Sequence, residues 1–333
     1  MKAKTLFIHI LAVLISLPLI GTVAQAATIE VLETFDFPGE GNATLPQKIN
    51  DHGVIAGIFI DPATGASEGF FRSRSGRFSD PIIEPNDDSL ITEVRGINNR
   101  RTICGDYDTS DGVAHGFFLS HTIFTEYDIS SVFTIVLGIN NPGDFSGSFI
   151  DDADGLQKGF VSIGGTVTGF SVPDAAATLA YQINTSNEVT GYYIANSDGL
   201  THGYLRDSSG NLNFPIDPAG STGTVLFGNN DSNWVVGRYA DAAGITHGLF
   251  FMMPGDFLTF DFPGAAGFTS LNGINQQGYI CGRYADAAGI AHGFLAKVNP
   301  NGTAQPNRSN LPLVPVKPAH PALETLRPGA SAL

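Results

Sequence analysis

The side chains best placed to do chemistry are four histidines that recur at one place in a repeating pattern. They are His115, His202, His247 and His292, each followed directly by glycine. Imidazole is a common metal ligand, but zinc needs three or four ligands converging within a few ångströms. Equivalent positions of a repeat are spread along a fold, and Glu68 and Lys158 replace the histidine in two copies. The spacing therefore predicts a structural role, each histidine bonding a neighbouring turn. The acidic turns Asp106-Tyr107-Asp108-Thr109-Ser110-Asp111-Gly112 and Asp151-Asp152-Ala153-Asp154-Gly155 resemble calcium loops. Neither completes the spacing that ends in a bidentate glutamate, so both are read as hairpin turns. Cys104 and Cys281 stand just before a repeated glycine, where Ala56, Ser146, Thr190 and Val236 stand in the other copies. They read as small buried hydrophobes, too far apart for a disulfide. The chain has no Gly-x-Ser-x-Gly elbow, phosphate loop or His-Glu-x-x-His pair, and nothing among its 32 acidic residues nominates a carboxylate pair for sugar hydrolysis. The sequence assigns no catalytic, cofactor-binding or metal-ligating residue and implies no cofactor.

The elements that carry these residues form six copies of a roughly 45-residue repeat. A glycine followed by an aromatic or leucine recurs at Gly69-Phe70, Gly116-Phe117, Gly159-Phe160, Gly203-Tyr204, Gly248-Leu249 and Gly293-Phe294. Upstream of most of them lies an aromatic-acidic segment, clearest at Phe35-Asp36-Phe37 and Phe260-Asp261-Phe262. Between these landmarks every copy holds an asparagine: Asn50, Asn98, Asn140, Asn184, Asn230 and Asn275. An asparagine side chain can accept a bond from the backbone two residues on and so start a turn. Three residues later stand Gly53, Arg101, Gly143, Asn187, Asn233 and Gly278. Five of these types tolerate the positive φ that closes a short hairpin, and Arg101 predicts a strained or lengthened turn.

The strand leaving each turn carries an apolar residue, a register glycine (Gly57, Gly105, Gly147, Gly191, Gly237, Gly282) and an aromatic, at alternate positions and so on one face. A glycine there predicts a ring or backbone packed directly over it. Each copy offers about four short strands, and a single sheet this apolar cannot bury both faces alone. Six such sheets packed around an axis can, so the expected fold is all-β, a six-bladed β-propeller. A β-solenoid is the alternative.

The run Asp286-Ala287-Ala288-Gly289-Ile290-Ala291-His292-Gly293-Phe294-Leu295, preceded by Gly273-Ile274-Asn275 and Gly282-Arg283-Tyr284, resembles the extracellular HAF repeat family. The likeness spans most of residues 28–298, strongest in the fifth and sixth copies. It implies a bacterial, exported, repeat-built protein and brings no catalytic residues with it.

Residues 1–26 read as a signal peptide: Lys2 and Lys4, an apolar run from Leu6 to Val23, then Ala24-Gln25-Ala26 as a cleavage pattern. Residues 27–298 are the six repeats, and 299–333 a Pro-rich flexible tail. The expected location is secreted, periplasmic or extracellular. The net charge is −15, and losing Lys2 and Lys4 makes it two units more negative. Such acidity argues against nucleic acid and anionic membrane surfaces as partners. No membrane insertion is expected after signal cleavage. With the repeat residues accounted for by packing and turns, the expected function is a non-catalytic extracellular binding or scaffold propeller for a glycan, peptide or protein. The rival readings are a hydrolase or lyase of extracellular polysaccharide and a structural envelope or matrix protein.

Overall fold

The computed structural model describes residues 27–300, all strands and turns; no helix among them is long and apolar enough to cross a membrane. The signal-peptide reading and all but the first two residues of the expected tail lie outside the described residues. The last strand runs through Asn299, one residue beyond the expected end of the repeats.

Strand β1 (Thr28–Phe35) is the N-terminal aromatic-acidic segment and stands apart from the strands that follow it in sequence. Next come β2 (Ala43–Ile49), β3 (Ile55–Ile60) and β4 (Ser67–Arg72), an antiparallel three-stranded sheet. Its fourth place is taken by two isolated bridges, Gly69 to Ile82 and Arg72 to Phe78, in place of the regular strand expected there. Pro81 and Pro85 punctuate that segment, and proline cannot donate to a ladder. The group β5 (Thr92–Ile97), β6 (Ile103–Asp108), β7 (Ala114–Ser120) and β8 (Ile123–Tyr127) is a regular four-stranded meander. So are β9 (Thr134–Ile139), β10 (Phe145–Ile150), β11 (Gln157–Ile163) and β12 (Thr166–Phe170), and β13 (Ala175–Ile183), β14 (Val189–Ala195), β15 (Thr201–Arg206) and β16 (Leu212–Ile216). One parallel pair, Gln157 with Ala177, joins these two groups into an eight-stranded sheet. The groups β17 (Gly223–Asn229), β18 (Trp234–Ala240), β19 (Thr246–Met252), β20 (Leu258–Phe260) and β21 (Thr269–Ile274), β22 (Tyr279–Ala285), β23 (Ala291–Asn299) complete the chain. The last group takes β1 as its fourth strand, antiparallel to β23.

The sheet is therefore offset from the sequence repeat by one strand. Each aromatic-acidic segment pairs with the Gly-aromatic strand of the copy before it, and β1 pairs with the last copy. The innermost strands β2, β5, β9, β13, β17 and β21 touch in succession, and β21 touches β2. First and last repeats are thus in contact, whereas an open solenoid would keep them apart.

Packing explains the repeated residues. Phe70, Phe117, Phe160, Tyr204, Leu249 and Phe294, each directly after its glycine, are completely buried. Five of these six rings or side chains sit against the register glycine of the neighbouring strand, so a Cβ on Gly147 would come within 2.6 Å of Phe160 and would also overlap the Ile135 carbonyl oxygen. The expected close approach is there. All six residues three beyond the asparagine have positive φ, Arg101 included at 63°. Its turn is strained but not lengthened: Arg101 donates its N–H to the Asn98 carbonyl at 3.1 Å, the same bond that Gly53 makes to Asn50.

Candidate functional site

The asparagine turns meet at one end of the inner strands. Each side-chain oxygen does what the sequence suggests, accepting backbone N–H bonds from its own turn; His52 and Val54 donate to Asn50 Oδ1, both at 3.0 Å. The amide nitrogens do something the sequence reading missed. Asn50 donates to the Asn98 carbonyl, Asn98 to Asn140, Asn140 to Asn184, Asn184 to Asn230, Asn230 to Asn275 and Asn275 back to Asn50, at 3.0–3.4 Å. Six buried side chains so tie each turn to the next in an unbroken ring. Inside it is a space of only about 50 Å³. The glycines two places before the asparagines, Gly96, Gly138, Gly228 and Gly273, let neighbouring inner strands approach; a Cβ on Gly273 would lie 2.8 Å from Lys48 Cα.

The histidines are placed by the outer strands. His115, His202, His247 and His292 bond through Nδ1 to Asp128, Asp217, Asp261 and Asp36, the acids of the aromatic-acidic segments, at 2.7–2.9 Å. Nε2 faces a hairpin acid in three copies, Asp198, Asp241 and Asp286, at 3.2–3.4 Å. The ring faces the aromatic two beyond the register glycine: Tyr107, Tyr193, Tyr239 or Tyr284. These are clamps between strands, as the sequence suggests. Burial opposes the imidazolium of His202, His247 and His292, but the two aspartates outweigh it and raise each pKa above the ordinary value. Where Glu68 and Lys158 replace the histidine, Ile83 and Ser171 occupy the aspartate's place, a within-chain covariation visible in the sequence and not read there.

A second missed signal is a threonine in every copy, Thr44, Thr92, Thr134, Thr178, Thr224 and Thr269, each fully or almost fully buried. Five accept the backbone N–H one place after the clamp aspartate or its equivalent, as Phe37 donates to Thr44 at 2.9 Å.

The two calcium-like turns have other partners. Asp106 lies on β6 and accepts from Arg95 Nε at 2.9 Å, while Asp151 and Asp154 hold Lys158 at 2.7 and 2.6 Å. Among the described residues, His115, Glu126 and Asp128 bring potential metal-ligand atoms within 4.8 Å of one another. They are already engaged, Glu126 by the Tyr107 hydroxyl and Asp128 by His115 and the Gly116 N–H. Both cysteines are buried and free; burial pushes the Cys281 thiol up to about 12 and Cys104 higher still.

The end opposite the asparagine ring is where the repeat breaks down. The place directly after the register glycine holds Ile58, Asp106, Ser148, Tyr192, Arg238 and Arg283 in turn. A hollow of about 380 Å³ opens there, walled by Tyr181, Tyr192, Phe227, Phe268 and Arg238 and edged by Thr201 and Thr246. The Arg238 guanidinium carbon lies 5.3 Å from the centre of Phe227 and 5.6 Å from that of Phe268; Arg283 stands 5.5 Å from Phe268. Arg95 belongs to the same surroundings but is neutralised by Glu93 and Asp106. Lys48, deeper and fully enclosed, donates to the Phe227 and Asn272 carbonyls. Burial pushes its pKa down to about 8. Arg238 lines the hollow and Arg283 packs on the same Phe268 ring, and solvent still reaches part of both side chains. Protein nonetheless surrounds them closely enough that burial, and for Arg283 the nearby Arg238 charge, lowers both, Arg283 to about 10. The variation among six otherwise equivalent positions was the signal in the sequence for this site.

No protein-family model matches this chain, and no curated protein does. Solved structures do. A protein assigned as TolB from Agrobacterium tumefaciens superposes with a TM-score of 0.54 at 13% identity, over 83% of this chain and 99% of that one. TolB from Acinetobacter baumannii gives 0.50 at 12% identity, over 74% of this chain and 65% of that one. The β-propeller domain of the Trilobed protease from Pyrococcus furiosus gives 0.45 at 10% identity, over 76% and 95%. These structural neighbours are β-propellers, and at such identities the likeness is one of fold alone.

Proposed function

We propose that this chain is an exported, non-catalytic binding propeller of six blades, of the HAF-repeat type, whose ligand is taken at the centre of the ring on the side away from the asparagines. One observation carries the reading. Positions that repeat six times are consumed by packing, turns and clamps, while inner positions that do not repeat supply Tyr181, Tyr192, Phe227 and Arg238 to the hollow. A concave aromatic wall with a few convergent polar groups is the usual form of a small-ligand site. The circular succession of inner strands and the six-membered asparagine ring support the blade count. The leader-like residues and the acidity of the chain support export.

The test is a thermal-shift screen of the purified chain against oligosaccharides, short peptides and divalent cations, with the products analysed afterwards. A ligand at about a hundredfold excess over its Kd should raise the midpoint by about 5 °C or more. A rise without product formation supports a binding propeller. Release of product would move the reading to a polysaccharide hydrolase or lyase, and no shift with any probe would favour a matrix role.

A further inference from the structure

The hollow has an electrostatic character at odds with the rest of the chain. Against a net charge of −15, Arg238 lines the hollow, Arg283 shares the Phe268 ring with it, Arg95 is near enough to repel Arg283, and Lys48 reaches the Phe227 carbonyl. Only two carboxylates, Glu93 and Asp106, belong to the group, and both are spent on Arg95. Among the described residues, Arg238 and Arg283 form no ion pair and donate to no side chain or carbonyl, and the Arg283 Nε is a buried donor without a partner. The two flank a common ring, Phe268, so their charges repel at short range. Elsewhere Arg72 is forked onto Glu33 by two bonds of 3.0 Å and Lys158 is held by two aspartates, while buried Arg206 donates to the Asp207 carbonyl. Enclosing two unmatched guanidinium groups is unfavourable unless something supplies the opposite charge.

We infer that this hollow binds a carboxylate-bearing sugar, its carboxylate seated between Arg238 and Arg283 and its ring against the aromatic wall. The inference rests on the binding reading above and names the ligand class for the same site. Guanidinium is a planar fork that matches carboxylate oxygens two by two. Tyr181, Tyr192, Phe227 and Phe268 give the hollow an apolar wall that the C–H side of a sugar ring can meet, and Thr201 and Thr246 at its edge carry hydroxyls of the kind that bond ring hydroxyls. A volume of about 380 Å³ lies at the small end of ligand pockets, suited to one or two sugar residues. An aromatic and hydroxyl-edged wall is of no use to a bare inorganic oxyanion, which sets the uronate apart from phosphate.

The experiment is calorimetric titration of the full chain with glucuronate and a digalacturonate, alongside glucose, inorganic phosphate and a short acidic peptide. The expected result is binding of the uronates and weaker or no binding of the other three. Arg238→Met and Arg283→Met should each weaken uronate binding by about tenfold or more, the loss of one charged hydrogen-bonding partner. Arg238→Lys should recover part of it. Thermal unfolding of each variant separates lost binding from lost fold. Glucose binding as well as glucuronate, phosphate or peptide binding better than uronate, or an unchanged affinity in the double Arg→Met variant would each overturn the inference. If the uronates fail while a neutral glycan or peptide binds, the acid assignment falls and the binding propeller stands; if every probe in both experiments fails, both fall.

Discussion

The two ends of the ring are built from the same strands and follow different rules. At the asparagine end, six equivalent side chains each donate to the carbonyl of the next turn, with Asn140 and Asn184 adding a second bond to Asn187 and Glu188. At the other end, the equivalent positions hold six side chains of five types, and two of them are arginines without an acid. A closed ring needs every seam to hold, so any position that stitches one copy to the next is under the same demand six times. A binding site needs asymmetry, because a small ligand touches only a few of the copies. Chemical uniformity around the ring therefore marks closure, and its breakdown marks the place where this chain does something.

That contrast is open to attack from the uniform side first. Gly147→Ala places a methyl group against the Ile135 carbonyl and the Phe160 ring, neither of which can yield without moving a strand. The expected loss is about 3 kcal/mol or more, read by denaturant unfolding. A smaller loss, under 1 kcal/mol, would mean the register glycines are not packing positions. Asn230→Ala comes next. It removes the 3.0 Å bond to the Asn275 carbonyl and the two turn bonds from Ser232 and Trp234. About 2–3 kcal/mol should go, most of it from stranding buried partners. The same change at Asn184 should cost a similar amount if the ring is uniform. Markedly unequal losses would show that one seam, not six, governs closure.

At the variable end the sign should reverse. Arg283→Met removes a charge that has no partner and stands near another of the same sign. Replacing such a group by an apolar side chain of similar length is expected to leave stability unchanged or raise it by about 1 kcal/mol. A loss of that size instead would make Arg283 part of the scaffold and erase the distinction between the two ends.

The sequence displayed one of these ends far better than the other. Turn asparagines, positive-φ positions and register glycines are local requirements, met within a few residues, and so they recur at fixed spacing and can be read directly. Closure is non-local: nothing near Asn275 indicates that its amide reaches Asn50, 225 residues away. The one-strand offset between repeat and sheet has the same origin, since β1 finds its partner only at the far end of the chain. The histidine clamps lie between these cases. Each pair spans about one strand and a turn except His292–Asp36, yet the joint absence of histidine and aspartate from the same two copies shows the coupling without coordinates. For the hollow, the legible signal was irregularity at the place after the register glycine and at the place three before the turn asparagine, and a repeat search discards irregularity. Which irregular side chains converge depends on the ring, so Arg238, Arg283 and Phe268 acquire meaning only once the fold is known.

The smallest effect belongs to the clamps, which look most like chemistry and are spread around the rim. His202, His247 and His292 have pKa values raised by their aspartates against the opposing effect of burial. A group raised in the folded state holds its proton more tightly there than in the unfolded chain. The stabilisation is fully present below the ordinary histidine value of 6.5 and is lost as pH rises through the raised folded value. The partners Asp198, Asp241 and Asp286 are lowered, chiefly by backbone N–H bonds, so their share is present at neutral pH and fades in acid below the ordinary 3.8. Stability should therefore decline as pH rises above the ordinary histidine value of 6.5, and the triple variant His202→Gln, His247→Gln, His292→Gln should flatten that decline. These pairs face solvent on one side, so each should contribute little and weaken further in high salt. Parallel curves of midpoint against pH for the two proteins would remove the histidines from the closure machinery. A variant that also lost uronate binding would place a clamp within reach of the ligand and draw the uniform and variable parts of the ring together.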